Sequence, residues 1–173
     1  FAACRIATDM VTEKLITKQE AILRVDPEAL NQLLQPIFGA EQLKASKAEG
    51  HHLTTGLNAG PGAASGKIAF SAPAAEAANA RGERVILVRI ETSPEDIKGM
   101  QASKGILTAR GGMTSHAALV ARGWGKCCIV GAGEIHATAS AKKMVVGGAS
   151  YKEGDWVTLN GTKGIVYQGN LPM

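Results

Sequence analysis

GILTARGGMTSHAALVAR, residues 105–122, is the stretch of sequence that decides the fold. Its first five residues, up to Ala109, predict a short buried strand. Two glycines then predict a sharp bend, and the alanines that follow His116 open a helical pattern. A strand, a glycine turn and a helix start bring together free backbone N–H groups and the positive end of the helix dipole, which favour an anion. His116 is therefore placed where an imidazole could accept a phosphoryl group.

The segments around this stretch alternate between strand and helix. Three strands are predicted at 85–90, 105–109 and 127–130, with helices at 94–101 and 115–122 between them. This order predicts a parallel sheet core, and in such sheets ligands bind beyond the carboxyl ends of the strands. His116 follows such an end.

Further elements are predicted on both sides of this core. They are strands at 53–59, 67–70, 144–146, 156–159 and 164–167, and a helix at 73–79. Many short strands with few helices predict a mixed α/β domain. The segment Gly60-Pro61-Gly62 predicts a turn between two strands, and a place beside the site stays open for it.

The first 38 residues predict helices at the start of the chain. Thr17 and Glu20 have the spacing of a capping box, and Asp26-Pro27 places an N-cap before a first-turn proline. Residues 39–52 have the composition of a linker. The predicted domains are a helical segment (1–38), a linker (39–52), the main domain (53–169) and the start of a second linker (170–173). The absence of an initial methionine indicates a piece of a longer protein.

Composition and charge limit the possible functions. The chain has 173 residues, of which 45% are hydrophobic and 20% charged, and no apolar run is long enough to predict a membrane span. Aromatic residues make up 4%, and no cluster of Lys and Arg is interleaved with them, so nucleic-acid binding is not predicted. The net charge of +4 suits phosphorylated small molecules or an acidic partner surface.

Neither the cysteines nor the other histidines predict a metal site. Cys127 and Cys128 are neighbours in a predicted strand, so they should point to opposite faces and share neither a disulfide nor a metal ion. His51, His52 and His136 lack the spacing of metal ligands. We therefore predict no metal bound by this chain.

The residues around His116 suit a bound phosphoryl group. Gly111 and Gly112 would adopt positive φ and let the backbone approach the anion. Thr114 and Ser115 would cap the helix and donate hydrogen bonds, and Arg110 would add a charge-assisted bond. From the residues alone, His116 could equally be a helix-start residue without chemistry, or part of a loop that binds phosphate and never reacts. Arg122 is expected to satisfy carbonyl groups at the end of its own helix.

Residues 110–131, RGGMTSHAALVARGWGKCCIVG, closely resemble the phosphohistidine signature of the pyruvate, phosphate dikinase family. Phosphoenolpyruvate synthase and Enzyme I of the sugar phosphotransferase system share the core of this pattern. They usually have Arg at the place of Met113 and lack the run GKCC at 125–128. The resemblance extends to LITKQEA at 15–21 and GAASGK at 62–67. At Gly60 the family often has Ser, which is a departure.

The resemblance implies a swivelling β/β/α phosphohistidine domain preceded by a short helical segment. His116 would be pyrophosphorylated by ATP, cede one phosphoryl group to inorganic phosphate and deliver the other to pyruvate. The net reaction interconverts ATP, phosphate and pyruvate with AMP, diphosphate and phosphoenolpyruvate. Thr114 matches the threonine whose reversible phosphorylation inactivates plant members. A carrier domain of the synthase or Enzyme I type and a non-catalytic phosphate-binding module are the alternatives.

The resemblance also implies partners outside this chain. They are a nucleotide-binding ATP-grasp domain and a pyruvate-binding TIM barrel of the same polypeptide, which bind Mg²⁺, in an enzyme that forms a homodimer. This chain would be the mobile carrier between them, with hinges in 39–52 and after Gly169. The implied location is intracellular, with cytosol, plastid and glycosome left open.

Overall fold

The computed structural model describes residues 2–27, 30 and 51–172. The chain forms two compact units, residues 1–35 and 36–173. The first contains helices α1 (Ala2–Thr12) and α2 (Lys18–Arg24). The predicted capping box is confirmed at α2, where Thr17 and Glu20 exchange two hydrogen bonds. Most of the predicted third helix and of the predicted linker lies outside the described residues.

The second unit is built on two sheets. Its described strands, in chain order, are β1 (His52–Thr55), β2 (Leu57–Gly60), β3 (Ala63–Ala69), β4 (Val85–Arg89), β5 (Gly105–Thr108), β6 (Cys127–Val130), β7 (His136–Thr138), β8 (Lys143–Val146), β9 (Ala149–Lys152), β10 (Trp156–Asn160) and β11 (Ile165–Gln168). The large sheet has the order β1-β11-β10-β3-β4-β5-β6-β2, and β7, β8 and β9 form a small antiparallel sheet.

Strands β3, β4, β5 and β6 run parallel in the middle of the large sheet, so the predicted parallel core is confirmed. They are connected by helix α3 (Ala72–Ala80), by a 3₁₀ turn (Pro94–Asp96) that leads into α4 (Ile97–Ala102), and by α5 (His116–Gly123). Parallel neighbours need such crossovers, because the chain must return to the end of the sheet where the strands start before the next strand begins. None of the described helices is long and apolar enough to cross a bilayer.

The central strands are buried on both faces. Along β4, Val88 packs in a core shared with the small sheet, whereas Leu87 packs in a core shared with the helices. Cys127 and Cys128 divide between the same two cores, which confirms their predicted opposite orientation. Burial raises the pKa of each thiol to about 12, so neither is a thiolate near neutral pH. Small sheet, large sheet and helices form three layers, and the predicted α/β class with a β/β/α arrangement is confirmed.

The first and last strands of the large sheet are neighbours. β1 runs antiparallel to β11, with His52 opposite Tyr167. Just outside this pair, the Gln168 N–H donates to the His51 carbonyl oxygen at 2.7 Å. The chain therefore enters and leaves the sheet at one place.

Three differences separate the strands from those predicted. Strand β3 begins at Ala63, four residues before the strand predicted at 67–70. The strand predicted at 53–59 is interrupted at Gly56, where a Cβ would lie 2.7 Å from Cγ2 of Ile129, and the chain passes from pairing with β11 to pairing with β6. Strands β7 and β9 were not predicted. Each buries a single residue, Ala137 or Tyr151, so neither shows a readable alternation.

The carbonyl groups at the end of helix α4 are bound by the side chain of Lys126, the residue before β6. The Lys126 ammonium donates to the carbonyl oxygens of Met100 at 3.2 Å and Ser103 at 2.6 Å, and to that of Gln101. These carbonyl groups lie where a helix end leaves acceptors without intrahelical partners. Partial burial lowers the pKa of Lys126.

Replacement of Gly99 by alanine is expected to lower the free energy of unfolding by about 1–3 kcal/mol, as overpacking does. A Cβ at Gly99 would lie 2.4 Å from Cα and 2.6 Å from Cβ of Ala72, so α3 and α4 would have to separate. Gly123→Ala is the matched control, because no heavy atom lies within 4 Å of its Cβ position. Urea denaturation measures both, and equal losses would contradict the packing argument.

Candidate functional site

The candidate site lies at the carboxyl end of β5. The strand ends at Thr108, and α5 begins at His116. The loops that follow β4 and β6 reach the same edge, because parallel strands end together. His116 is thus the first residue of a helix that follows a parallel strand, as the sequence pattern predicts.

Hydrogen bonds to both neighbouring loops fix the start of the His116 loop (residues 109–115). The buried hydroxyl of Thr108 donates to the Arg110 carbonyl oxygen at 2.6 Å. The Arg110 N–H donates at 2.8 Å to the carbonyl of Ile90, just after β4. On the other side, the N–H of Ala132, just after β6, donates at 3.0 Å to the Thr108 carbonyl. The loop is therefore held from both sides before it reaches His116.

The two glycines of the loop have different roles. Gly111 has φ of +104°, and a Cβ there would lie 2.9 Å from Cβ of Ser115. Gly131, after β6, has φ of +66°, and its Cβ would lie 2.9 Å from the Gly111 carbonyl oxygen. Gly112 has no positive φ, and no heavy atom lies within 4 Å of its Cβ position. The expectation of positive φ is correct for Gly111 and wrong for Gly112.

Ser115 caps helix α5. Its hydroxyl accepts the Ala118 N–H at 3.4 Å, and its own N–H donates to the Gly112 carbonyl at 3.0 Å. Thr114, which was expected to share the capping, is exposed and does not cap. The first N–H groups of a helix lack intrahelical acceptors, so the first turn of α5 offers donors and the positive dipole end to an anion.

The His116 ring is partly buried and bonded to a residue that sequence reasoning missed. Its Nδ1 lies 3.1 Å from the Thr92 hydroxyl oxygen. Thr92 lies in the loop after β4, and β4 pairs with β5. A signal was available, because the hydroxyl residues that follow one parallel strand lie beside the carboxyl end of its neighbour. The contact with Thr92 occupies Nδ1 and does not involve Nε2.

Arg122 binds the loop rather than the end of its own helix. Its Nη2 donates to the carbonyl oxygen of Met113, nine residues earlier. The expectation that Arg122 satisfies carbonyl groups at the end of α5 is wrong, because the N–H of Trp124 does so instead. The bond ties the last turn of α5 to the residue before Thr114.

Arg110, which was expected beside His116, and the Gly60-Pro61-Gly62 turn, for which a place there was left open, both lie elsewhere. The Arg110 side chain is exposed and lines a cavity of about 380 Å³ together with Ile135 and His136, on the side of the small sheet. Gly60-Pro61-Gly62 forms the predicted turn between β2 and β3. This turn lies near the amino end of β6, whereas His116 lies at the carboxyl ends of the parallel strands. A Cβ at Gly60 would lie 2.2 Å from the carbonyl oxygen of Lys126, which precedes β6. The turn therefore does not line the site.

Metal binding is not indicated by the described side chains. Across residues 2–27, 30 and 51–172, no group of three or more His, Cys, Asp and Glu side chains could hold a metal ion. What the site offers is one imidazole, two hydroxyl groups on the loop and the free N–H groups of a helix start.

Sequence comparisons find similarity to PEP-utilising enzymes and to pyruvate, phosphate dikinases. Residues 81–164 match the family described as PEP-utilising enzyme, mobile domain. The chain is 52% identical to pyruvate, phosphate dikinase of Clostridium symbiosum over 98% of its length and 19% of that protein. It is 55% identical to the chloroplastic pyruvate, phosphate dikinase of Flaveria trinervia, over 96% of the chain and 17% of that protein. The chain thus spans about a fifth of the length of these relatives. A solution structure of Enzyme I covers 50% of this chain and 31% of its own, with 28% identity and a TM-score of 0.36.

Gly111→Ala is expected to lower the free energy of unfolding by about 1–3 kcal/mol, because φ of +104° strains an L side chain. The added Cβ would also press on Ser115. Gly112→Ala should change stability by less than about 0.5 kcal/mol, since its Cβ enters open space. Urea denaturation of both variants checks this, and an equally stable Gly111→Ala would show that the loop backbone is not constrained as described.

Proposed function

Residues 81–164 of this chain belong to the mobile-domain family of PEP-utilising enzymes, and on this basis we propose that the chain is the phosphohistidine carrier of a pyruvate, phosphate dikinase. One observation carries the proposal: His116 begins α5 and has its Nδ1 bonded to Thr92. An identity of 52–55% to dikinases over nearly the whole chain supports this choice of enzyme.

His116 acts as a nucleophile through Nε2 in this proposal. The Nε2 lone pair attacks phosphorus, an N–P bond forms, and the bond from phosphorus to the leaving oxygen breaks with its electron pair. The ring becomes cationic and keeps its proton on Nδ1, and this Nδ1–H donates a hydrogen bond to the Thr92 hydroxyl oxygen. The same protonated ring is a good leaving group when the phosphoryl group moves on to an acceptor oxygen.

The loop and the helix start hold the phosphoryl oxygens. The N–H groups of the first turn of α5 and its positive dipole end favour the anion. Gly112 leaves open space for it, and Gly111 supplies the turn that brings the backbone close. Ser115 and Thr114 add hydroxyl donors. Arg110 adds a charge-assisted bond once its exposed side chain turns away from the cavity beside the small sheet.

In the complete enzyme His116 serves two remote sites. It takes a pyrophosphoryl group from ATP and releases AMP, passes the terminal phosphoryl group to inorganic phosphate and releases diphosphate, and passes the remaining group to pyruvate. An ATP-grasp domain and a TIM barrel of the same polypeptide hold these substrates with Mg²⁺, and the parent enzyme is a homodimer. The dikinases that support this include bacterial and chloroplastic proteins, so the proposed location is intracellular without a choice of compartment.

Movement between two sites requires hinges. We propose one in the predicted linker before β1, of which residues 39–50 lie outside the described part of the chain, and one after the main domain. Asn170 accepts a hydrogen bond from the Ser65 hydroxyl at 2.7 Å, and the Leu171 N–H donates to the Thr158 hydroxyl at 3.1 Å. These bonds attach both residues to the sheet. They support a second hinge that begins after Leu171 rather than at residue 170.

His116→Asn in the full-length enzyme is expected to abolish labelling by radioactive phosphoenolpyruvate, because no other described residue offers Nε2 at this place. The wild type should carry an acid-labile, base-stable label, as a phosphohistidine does. His136→Asn is the matched control, since His136 is exposed on β7 and should leave the label intact.

The outcomes separate the candidate functions. A label on the His116→Asn enzyme, or none on the wild type, would contradict the carrier proposal, and the latter would favour a phosphate-binding module. Labelling of His116 from ATP distinguishes the dikinase from Enzyme I. Diphosphate release that depends on inorganic phosphate distinguishes it from phosphoenolpyruvate synthase.

We also propose Thr114 as a regulatory phosphorylation site, because its side chain is exposed two residues before His116. A negative charge there repels the incoming phosphoryl group. Thr114→Asp should slow His116 phosphorylation at least about tenfold relative to Thr114→Asn, which has the same shape without the charge. Initial labelling rates measure this, and equal rates for the two variants would exclude the electrostatic explanation.

A further inference from the structure

A buried carboxylate lies four residues beyond Thr92. Asp96 ends the 3₁₀ turn and is 5% exposed. One of its oxygens, Oδ2, accepts the Ser93 N–H at 3.0 Å and lies 3.5 Å from the Ser93 hydroxyl oxygen. The same oxygen lies 3.3 Å from Nε of Arg89. Asp96 therefore joins the end of β4 to the residue that follows Thr92.

Arg89 is itself anchored, so the carboxylate has a fixed partner. It is the last residue of β4, and its Nη1 donates to the carbonyl oxygen of Phe70 at 3.2 Å. The guanidinium thus bridges the ends of two parallel strands and a buried acid. Because the carboxylate is buried and the guanidinium partly buried, moving the Arg89 side chain away would leave the Asp96 charge without compensation, which favours one geometry of the pair.

Thr92 has no such support from regular structure. It lies between β4 and the 3₁₀ turn, in neither a strand nor a helix. Its position is set by the residues on either side, and on one side that residue is Ser93, held by Asp96. A shift of about an ångström would break the 3.1 Å contact between the Thr92 hydroxyl and His116 Nδ1.

We infer that Asp96 is a positioning residue for His116, which acts by fixing Ser93 so that Thr92 holds Nδ1 and leaves Nε2 free to react. This inference rests on the proposed function, since it takes the Thr92 hydroxyl as the acceptor of the Nδ1–H, the arrangement that leaves the Nε2 lone pair for phosphoryl transfer. Asp96 does not touch the reacting atoms, and its effect passes entirely through Thr92.

The test uses two variants that remove the ion pair equally. Arg89→Met/Asp96→Asn keeps an oxygen that can accept the Ser93 N–H, whereas Arg89→Met/Asp96→Leu has the same shape without that oxygen. Both remove the two charges together, so neither leaves a charge buried alone. Glu83→Gln is the control for loss of an ion pair elsewhere, because Glu83 pairs with Lys67 and Arg81 before β4 begins.

The first measurement is the initial rate of His116 phosphorylation by radioactive phosphoenolpyruvate in the full-length enzyme. The Leu variant should be about three- to tenfold slower than the Asn variant, the range that one hydrogen bond accounts for. In a Thr92→Val background the two variants should have equal rates, because the interaction through which Asp96 acts is gone. The Glu83→Gln enzyme should match the wild type.

The second measurement is the ¹⁵N chemical shift of the two His116 ring nitrogens in the 173-residue chain. The wild type and the Asn variant should show a protonated Nδ1, and the Leu variant a mixture of tautomers. This readout does not need phosphoryl transfer. A wild type that is never phosphorylated would overturn the proposed function while the tautomer still tests the inference. Equal tautomer populations in the Asn and Leu variants, or a rate difference that persists in the Thr92→Val background, would overturn the role of Asp96.

Discussion

Burial of the parallel strands on both faces is the constraint on which the rest of the structure depends. Successive residues of β4, β5 and β6 fill either the core beneath the small sheet or the core beneath the helices. A strand buried in this way has little room for a reactive polar side chain along its length. The polar groups of the candidate site are therefore found at the carboxyl ends, where Thr92, Thr108 and His116 lie on adjoining segments.

The loop that carries His116 is held at several separate points. Near its start, the Arg110 carbonyl accepts a hydrogen bond from the Thr108 hydroxyl. In its middle, the Met113 carbonyl accepts one from Arg122, and at its end Ser115 caps helix α5. The ring itself contacts Thr92. The proposed carrier role would gain from such preorganisation, because a partner site would not have to order the loop before reaction.

The sequence predicts the local parts of this site and misses the distant ones. A strand, a bend and a helix start can be predicted around His116 because each depends on residues within a few positions. The alternation of strands and helices predicts that β4, β5 and β6 run parallel. The contact with Thr92 joins residues 24 positions apart, and no local pattern encodes it. The reach of Arg122 to Met113 and the ordinary φ of Gly112 depend in the same way on how the loop packs. The reaction assigned to His116 came from the resemblance, since the residues alone left three interpretations open.

The pairing of β1 with β11 has a consequence for how this fold can be combined with others. Because His52 lies opposite Tyr167, the whole eight-stranded sheet is topologically an insertion whose two ends meet. Domains whose two termini lie close together are well suited to insertion into another protein. Such a unit can be inserted into one surface loop of an unrelated protein without distorting either structure. The same unit could be circularly permuted by joining residues near 51 and 169 with a short peptide, which makes the fold a practical scaffold for moving the His116 loop into a new host protein.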